Sequence, residues 1–231
     1  MPRKSTPRAT AERHAEFRRR LIRWFRRRGR DLPWRRTRDP YHVIVSEFML
    51  QQTQVSRVEA YYHRFLDRWP TVHALAAAEP AAVRESWEGL GYYRRAANLH
   101  RLAQAVVRER AGVIPADPVE LRALPGVGRY TAGAVASFAY ERATPAVDTN
   151  VARVLRRAFH PRHAGGPNDR KLWDTAARLV PRRRGSAAWA FNQGIMELGA
   201  LICTARIARC AACPVQSVCA TGRRRARTHS K

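Results

Sequence analysis

Acidic residues are scarce in this chain of 231 residues, which has 18 Asp and Glu against 44 Lys and Arg and a formal net charge of +26. A folded protein this basic needs a polyanionic partner, and nucleic acid is the commonest one. A solubility device or a membrane-surface binder fits less well, because the basic residues run through the whole chain rather than forming one juxtamembrane cluster. Since 45% of the residues are hydrophobic, the chain can bury a core and is not merely a disordered tail.

Long apolar runs are absent as well. No stretch approaches the roughly 20 apolar residues that span a bilayer, and residues 1–13 lack the apolar segment of a secretory signal. We therefore expect a cytoplasmic, nucleoid-associated protein without a membrane segment. We interpret residues 1–13 as a disordered basic arm and the arginine-rich residues 220–231 as a basic tail.

Cysteines are few, and all four lie between Cys203 and Cys219. A secreted disulfide scaffold would distribute its cysteines among distant loops, whereas a tight cluster in a chain that is not exported indicates a metal site. In the spacing Cys203-x6-Cys210-x2-Cys213-x5-Cys219 only the middle two form a close pair. A zinc site usually joins two close pairs across a longer loop, but zinc remains the generic alternative on spacing alone.

Strand signals are scarce too: His42 to Val45 is β-branched but short, and the apolar periodicity elsewhere is helical. We expect an all-α protein of about ten helices, with two helical subdomains. The central subdomain is predicted over about 35–145. The second is predicted from 14–34 plus 146–202, followed by a cysteine loop at 203–219.

A glycine-containing turn, Leu124 to Gly128, lies between two predicted helices. Pro125 ends the first helix, and Gly126 and Gly128 permit positive φ and the close approach of a ligand to the backbone. The next helix begins near Arg129, and its free N–H groups form an anion site that fits a DNA phosphate. Many helix–helix turns look similar, so this turn alone is weak support for DNA binding.

Two carboxylates lie in contrasting surroundings. Glu47 stands in the apolar stretch Val43 to Leu50, where desolvation would raise its pKa and favour the protonated form. Asp148 stands at a predicted helix N-terminus, which favours the charged form. Cleavage of a glycosidic bond uses such a pair, one carboxyl to protonate the leaving group and one to stabilise the oxocarbenium-like sugar. A capping or salt-bridged glutamate and a plain N-cap aspartate are the structural alternatives.

The sequence around these carboxylates resembles the adenine DNA glycosylases, the MutY family, of the helix-hairpin-helix superfamily. The resemblance extends from about Phe17 to Cys219. It is carried by Leu32-Pro33-Trp34-Arg35, Ser46 to Gln54, Gly89 to Tyr93, Leu124 to Gly128, Val147-Asp148 and Phe191-Asn192-Gln193. It implies a fold of two helical subdomains flanking a cleft, with a C-terminal iron–sulfur loop.

The resemblance also implies catalytic roles. Glu47 would protonate N7 of a mispaired adenine, Asp148 would stabilise the sugar cation, and Tyr130 and Asn150 would support that site. The related endonuclease III family has a lysine at the position of Tyr130, and that lysine attacks the sugar. A tyrosine cannot form a Schiff base, so we expect a monofunctional glycosylase without lysine-dependent lyase activity.

Several residues would contact DNA if the resemblance holds. Gln52 and Tyr92 would wedge into the base stack where the adenine is flipped out, and Arg30, Leu50 and Gln193 would contact the extruded base. The other candidates in these motifs are Trp34, Arg35, Gln51, Gly126 and Gly128, of which Trp34 fits a core aromatic equally well.

The cysteine spacing matches the 4Fe–4S loop of the MutY and endonuclease III families, so the resemblance implies one 4Fe–4S cluster held by Cys203, Cys210, Cys213 and Cys219. Arg206 and Arg209 lie between the first two cysteines and would bind phosphates. The expected partner is double-stranded DNA containing a mispair, bound by a monomer.

The chain departs from the MutY pattern in two places. We expect a short form that lacks the C-terminal domain that reads the opposing 8-oxoguanine, and Thr149 stands where glycine is usual. A second subfamily, the thymine glycosylases of G:T and G:U mismatches, shares the Glu and Tyr and resembles Arg36 to Tyr41, whereas Gln51 to Gln54 and Gly91 to Tyr93 resemble the adenine enzymes. The hypothesis is removal of adenine opposite guanine or 8-oxoguanine. Thymine or uracil removal and a non-catalytic iron–sulfur DNA-binding protein are the alternatives.

Overall fold

A computed structural model of the protein describes residues 6–182 and 185–229. The expected all-α class is confirmed: over these residues the regular structure is helical, and extended pairing is limited to one isolated bridge between Cys203 and Ala208. The α-helices of the described residues are α1 (Pro7–Arg28), α2 (Pro40–Leu50), α3 (Val55–Arg68), α4 (Val72–Ala76), α5 (Pro80–Glu85), α6 (Arg94–Arg110), α7 (Pro118–Arg122), α8 (Arg129–Phe138), α9 (Thr149–Phe159), α10 (Arg170–Leu179), α11 (Ser186–Leu201) and α12 (Ala220–His229). None of these helices is long and apolar enough to cross a membrane.

The chain divides into two units. Unit 1 consists of the described parts of Met1–Arg30 and Glu141–Lys231, and unit 2 is Asp31–Tyr140. The central subdomain predicted at about 35–145 begins and ends a few residues later in the chain than unit 2. Unit 1 also includes the cysteine loop and α12 in addition to the segments predicted for the second subdomain.

Unit 1 is built on the apolar face of α1. Phe17 and Leu21 on this helix are fully buried and share a core with Val151 of α9, Leu172 of α10 and Ile195 of α11. The remaining faces of α1 carry arginines that stay at the surface, which is the pattern of an amphipathic helix packed on one side. The two ends of the chain therefore meet in one core.

The prediction of a disordered arm at 1–13 is wrong for the residues from Pro7 onward, which belong to α1; residues 1–5 lie outside the described part of the chain. The helix begins there because the Thr6 hydroxyl accepts a bond from the Ala9 amide at 3.3 Å. Arg13 then joins α1 to the C-terminal segment, with Nε donating to the Val218 carbonyl at 2.7 Å.

The predicted basic tail at 220–231 is likewise helical as far as the structure describes it. The hydroxyl of Thr221, in the first turn of α12, donates to the carbonyl of Arg157 in α9 at 2.8 Å. Its exposed arginines remain a basic surface. Composition indicated the charge of this segment but not the packing contact that orders it.

Unit 2 is built around α2. The Asp39 carboxylate caps this helix by accepting from the Tyr41 amide at 2.7 Å, and Pro40 occupies the first turn. The β-branched residues from His42 to Val45 thus lie inside a helix. All residues from Tyr41 to Met49 except His42 are buried, because α3, α6 and α8 all pack against α2.

Candidate functional site

Glu47 lies in the third turn of α2, and only 4% of the residue is exposed. Its neighbours Ser46 and Phe48 are buried too, and the Ser46 hydroxyl donates to the Val43 carbonyl at 2.8 Å. The helix carries the carboxylate into the interior because α2 is apolar on nearly all faces. Burial of this kind disfavours a charged carboxylate, as a general acid requires.

Asp148 is the N-cap of α9. Its Oδ1 accepts from the Val151 amide at 2.7 Å, and its Oδ2 accepts from Nδ2 of Asn150 at 3.0 Å. Burial nevertheless raises the pKa of Asp148 above its ordinary value; the two hydrogen bonds and the charge of Arg153 lower the pKa by less. The sequence-based expectation that the helix terminus would favour the charged form omitted this desolvation.

Asn150 and Arg153 continue the hydrogen bonding from Asp148. Arg153 Nη2 donates to Oδ1 of Asn150 at 2.7 Å, and its Nε donates to the carbonyl of Cys203 at 2.8 Å. Gly199 of α11 allows this arrangement, since a Cβ there would lie 2.7 Å from the Cβ of Asn150. Sequence reasoning missed Arg153, because its spacing from Asp148 does not distinguish it from the other arginines of α9.

The four predicted catalytic residues are divided between the two units. Glu47 and Tyr130 belong to unit 2, where Tyr130 is partly buried in the first turn of α8, and Asp148 and Asn150 belong to unit 1. Each carboxylate therefore has its environment set by its own unit: a buried helix interior for Glu47 and a capped helix N-terminus for Asp148.

The turn between α7 and α8 contains the two predicted glycines in different conformations. Gly126 has φ +76°, and a Cβ there would lie 2.7 Å from the Cβ of Asn98 and 2.9 Å from Cε1 of Phe48. Gly128 is the N-cap of α8 with φ −86° and does not use the positive φ that glycine permits. A Cβ at Gly128 would meet nothing within 4 Å. The fold thus requires a glycine at 126 but not at 128, where the exposed turn leaves room for a ligand at the α8 N-terminus.

The two predicted wedge residues are both at the surface of unit 2. Gln52 follows α2 with φ +59°, and Tyr92 precedes α6 with φ +52° and is 60% exposed. Gln51 and Leu50, next to Gln52, are partly buried. A left-handed backbone is uncommon for residues other than glycine.

The other residues predicted to contact DNA differ in their burial and in their partners. Arg30 is bound to Glu197, whose side chain is fully buried: the backbone N, Nε and Nη2 of Arg30 each donate to a Glu197 carboxylate oxygen at 2.9 Å. Trp34 is only 6% exposed and packs edge-on against Tyr62 at a centroid distance of 5.5 Å, which favours the core interpretation. Arg35 is partly buried, and Gln193 of α11 is buried.

All four cysteines line one pocket together with Arg157 and Ile202. The thiols are free of disulfides, and Arg157 Nη1 lies 3.4 Å from Sγ of Cys203. No group of three or more His, Cys, Asp or Glu among the described residues is arranged to hold a metal ion. Four thiols around a shared pocket are instead a donor set suited to an iron–sulfur cluster, in which the thiolates bind different irons. Burial raises the pKa of Cys213 to about 12, so ligation requires a cationic group that displaces the thiol proton.

The loop between the first two cysteines is exposed where Arg206 and Arg209 lie. Its only extended pairing in the described chain is the bridge between Cys203 and Ala208. The hydroxyl of Thr204 closes the turn by accepting from the Ile207 amide at 3.2 Å. Both arginines are thereby held at the surface beside the cysteine pocket.

The two glycines of the turn should respond differently to alanine. We expect Gly126→Ala to lower the free energy of unfolding by about 1–3 kcal/mol, because the added methyl meets Asn98 and Phe48 at positive φ. The free energy of unfolding of Gly128→Ala should lie within about 0.5 kcal/mol of the wild-type value, but this variant should bind duplex DNA more weakly. Urea unfolding and fluorescence anisotropy measure the two effects. Equal loss of stability in both variants would contradict this assignment.

The raised pKa of Asp148 predicts a pH-dependent stability. When the pKa of a carboxyl is higher in the folded than in the unfolded protein, the folded protein loses stability as the pH rises from the unfolded-state pKa through the folded-state pKa. The Tm of Asp148→Asn minus that of the wild type should therefore increase as the pH rises above about 4, the ordinary pKa of an aspartate. Asparagine is also an effective N-cap, so the comparison isolates the charge.

Asp169, the N-cap of α10, is the matched control for this measurement. Although desolvation raises its pKa, hydrogen bonds from His163 at 2.8 Å and from the Leu172 amide outweigh that effect, and its pKa is lowered. Asp169→Asn should thus show the opposite slope, with the wild type gaining relative stability as the pH rises. The same slope in both variants would refute the assignment for Asp148.

Comparison with known proteins supports a relationship over most of the chain. The family described as HhH-GPD superfamily base excision DNA repair protein matches residues 45–181. An adenine DNA glycosylase of Mycolicibacterium smegmatis is 48% identical over 196 residues, which are 84% of this chain and 66% of that protein. One from Rattus norvegicus is 46% identical over 215 residues, 88% of this chain and 41% of that protein. The chain thus spans just under two thirds of the length of the first relative and about two fifths of the second.

Solved structures share the fold. A thermostable thymine-DNA glycosylase superposes with a TM-score of 0.86 at 29% identity, covering 94% of this chain and 99% of that one. A trapped covalent intermediate of endonuclease III with DNA superposes with a TM-score of 0.77 at 24% identity, covering 94% and 98%; at that identity it bears on the fold alone. Because the family model matches more than half of the chain and the relatives are nearly half identical to it, the chain belongs to the HhH-GPD superfamily of base excision DNA repair proteins.

Proposed function

We propose that the protein is a monofunctional DNA glycosylase that hydrolyses the N-glycosidic bond of adenine mispaired with guanine or 8-oxoguanine. The observation that carries this proposal is the nearly complete burial of Glu47 within α2. Burying a carboxylate costs stability, and a strongly desolvated acid is therefore a candidate for a functional group. Relatives 46–48% identical are adenine DNA glycosylases. We place the protein with chromosomal DNA in the cytoplasm.

In the proposed reaction Glu47 delivers a proton to N7 of adenine, so that the base leaves as a neutral species. The ionised form of Asp148 stabilises the oxocarbenium-like sugar that develops as the bond breaks. Asn150, which donates to Oδ2 of Asp148 at 3.0 Å, holds that carboxylate in one orientation. Water then adds to the anomeric carbon of the sugar, its proton returns to the Glu47 carboxylate, and an abasic site is left.

Tyr130 supports the monofunctional assignment. An amine nucleophile attacks the sugar carbon to form a Schiff base and drive strand cleavage, and a phenol has no nitrogen with which to do so. Tyr130 stands in the first turn of α8, directly after the glycine turn. The abasic product should therefore remain intact until it is treated with alkali.

The proposed partner is a mispaired DNA duplex, bound by a monomer. A net charge of +26 favours a polyanion. The N-terminus of α8 beside Gly128 offers free N–H groups to a phosphate, and Arg206 and Arg209 offer a second contact. Gln52 and Tyr92 are exposed, as a wedge into the base stack requires.

Thymine removal opposite guanine is the second candidate function. It rests on the TM-score of 0.86 with a thymine-DNA glycosylase that the chain covers over 99% of its length. Both candidate reactions use a carboxylate and release a base, so the fold does not choose between them. The identity of the base that is released separates them.

We assign one 4Fe–4S cluster to Cys203, Cys210, Cys213 and Cys219, which line one pocket. When bound, such a cluster cross-links the loop through four thiolate bonds and contributes to its folding rather than reacting with the base. Arg157 lines the same pocket, donating to the carbonyl of Thr204 at 2.7 Å as well as contacting Sγ of Cys203.

The activity is tested by incubating labelled duplexes containing A:8-oxoguanine, A:G, T:G or U:G with the protein. We expect strand breaks at adenine only after alkali, and a rate for Glu47→Gln lower by a factor on the order of 10²–10⁴. Glu109→Gln is the control, because Glu109 is exposed on α6. Breaks at thymine or uracil with adenine intact would establish the second candidate. Tight binding without cleavage of any duplex would establish a non-catalytic DNA-binding protein.

The cluster is tested separately by metal and sulfide analysis of the purified chain. We expect about four irons and four sulfides per chain and a broad visible absorption that is lost in Cys213→Ser. One zinc per chain without sulfide would overturn the assignment.

A further inference from the structure

Two loops of unit 2 share the same unusual backbone feature. Gln52, after the end of α2, and Tyr92, before the start of α6, each adopt a left-handed conformation although neither is glycine. Both side chains are exposed. Residues held in such conformations persist only where the surrounding structure fixes them, and they cluster at functional sites. The question is what holds both loops in place.

A single side chain contacts both loops. Arg95, in the first turn of α6, is only 7% exposed. Its Nη1 donates to the carbonyls of Phe48 at 3.0 Å and Met49 at 2.7 Å and to that of Gln51. Its Nη2 donates to the hydroxyl of Thr53 at 3.0 Å and to the carbonyls of Leu90 at 3.2 Å and Gly91 at 2.9 Å.

The carbonyls that Arg95 binds lie at the end of α2 and next to the two left-handed residues. The carbonyl of Gln51 belongs to the peptide bond that precedes Gln52, and the carbonyl of Gly91 belongs to the one that precedes Tyr92. Arg95 thus fixes the peptide plane before each left-handed residue. The carbonyls of Phe48 and Met49 end α2, where helical carbonyls otherwise lack partners and the helix dipole attracts a cation.

Arg95 also differs from an ordinary buried ion pair. Its hydrogen-bond acceptors in the described chain are five carbonyls and one hydroxyl, and none is a carboxylate. The guanidinium carbon lies 5.5 Å from the ring centroids of Trp87 and Tyr92. A buried cation without an acidic partner is expensive to keep in a fold, which indicates a role beyond packing.

We propose that Arg95 is a positioning residue that aligns the loops of Gln52 and Tyr92 so that both side chains can enter the base stack together. This inference rests on the proposed function, in which these two residues fill the space left by the extruded base. Arg95 itself is buried behind the loops and acts through them. Preorganised loops avoid ordering when DNA binds, which preserves affinity and reaction geometry.

Lysine should not replace arginine in this role. The guanidinium is a planar fork with donors on two terminal nitrogens. Here Nη1 donates to three carbonyls at the end of α2 and in the Gln52 loop, whereas Nη2 donates to Thr53 of that loop and to two carbonyls of the Tyr92 loop. An ammonium has three donors on one atom and cannot reach all six acceptors at once. Arg95→Lys therefore keeps the net charge while it loosens at least one loop.

The main experiment compares Arg95→Lys with Arg94→Lys, which makes the same chemical change at the exposed neighbouring residue. A duplex with A opposite 8-oxoguanine carries 2-aminopurine beside the adenine, whose fluorescence rises when that base unstacks. We expect Arg95→Lys to reduce this rise and to lower the single-turnover excision rate by about 10–100-fold. Arg94→Lys should stay within about two-fold in both measurements. Equal behaviour of the two folded variants would overturn the proposal.

A double-mutant cycle separates positioning from a purely structural role. If Arg95 acts through the wedge residues, Arg95→Lys should change the rate by less than about two-fold in a chain that already carries Gln52→Ala and Tyr92→Ala. The same 10–100-fold loss in that background would mean that Arg95 only maintains the fold, and the proposal would fail. Affinity for an undamaged duplex, with its salt dependence, should be unchanged by Arg95→Lys because the charge is conserved.

A milder variant covers the case in which Arg95→Lys does not fold. Thr53→Val removes one acceptor of Nη2 and leaves the arginine in place, so we expect a several-fold smaller loss in the same direction, and a wild-type rate and fluorescence would contradict the proposal. Failure of the proposed activity is distinguishable. If the wild-type chain unstacks 2-aminopurine without excising adenine, the glycosylase assignment is wrong, and the fluorescence of Arg95→Lys or Thr53→Val against the wild type still decides the role of Arg95.

Discussion

The burial of α2 is the constraint on which the arrangement of unit 2 depends. Because this helix is apolar on nearly every face, α3, α6 and α8 all pack against it. Burial carries Glu47 away from water and leaves the last carbonyls of the helix inside the protein, where they need donors. Phe48 sets the limit on side-chain size at Gly126. The burial of Glu47, the carbonyls that Arg95 binds and the steric limit at Gly126 thus follow from one hydrophobic helix.

Unit 1 holds the carboxylate of Asp148 in a defined orientation at a helix N-terminus. The α9 N-terminus supplies the amide of Val151, and Asn150 supplies a side-chain amide. Arg153 fixes Asn150 and also reaches the Cys203 carbonyl. The hydrogen bonds favour the charged form while burial opposes it, and burial has the larger effect on the pKa of Asp148. A charge that is difficult to keep in the free protein can stabilise a cation that develops beside it.

Both units keep features that reduce stability. Left-handed residues, buried cations and a buried acid each have a conformational or desolvation cost, and such features are expected at functional sites more than elsewhere. Two of the four left-handed residues other than glycine in the described chain, Gln52 and Tyr92, lie in loops that the buried Arg95 bonds, which is the kind of place where such costly features are expected. By contrast Trp34, which a sequence motif also marked, lies in ordinary core packing against Tyr62.

The sequence by itself determined the helical class, the cysteine cluster, the glycine turn and the two candidate carboxylates, because periodicity, spacing and local composition are properties of short segments. It also indicated the apolar surroundings of Glu47, since neighbours along a buried helix share its environment. Only the tertiary structure decided that residues from Pro7 onward and the C-terminal segment are ordered, that Arg30 is bound by Glu197, and that burial outweighs the helix terminus at Asp148. It also decided which arginine among 44 basic residues would be buried behind two loops. These outcomes depend on contacts between segments distant in sequence, and no local pattern records which side chain will be desolvated or which carbonyls will be left for it to bind.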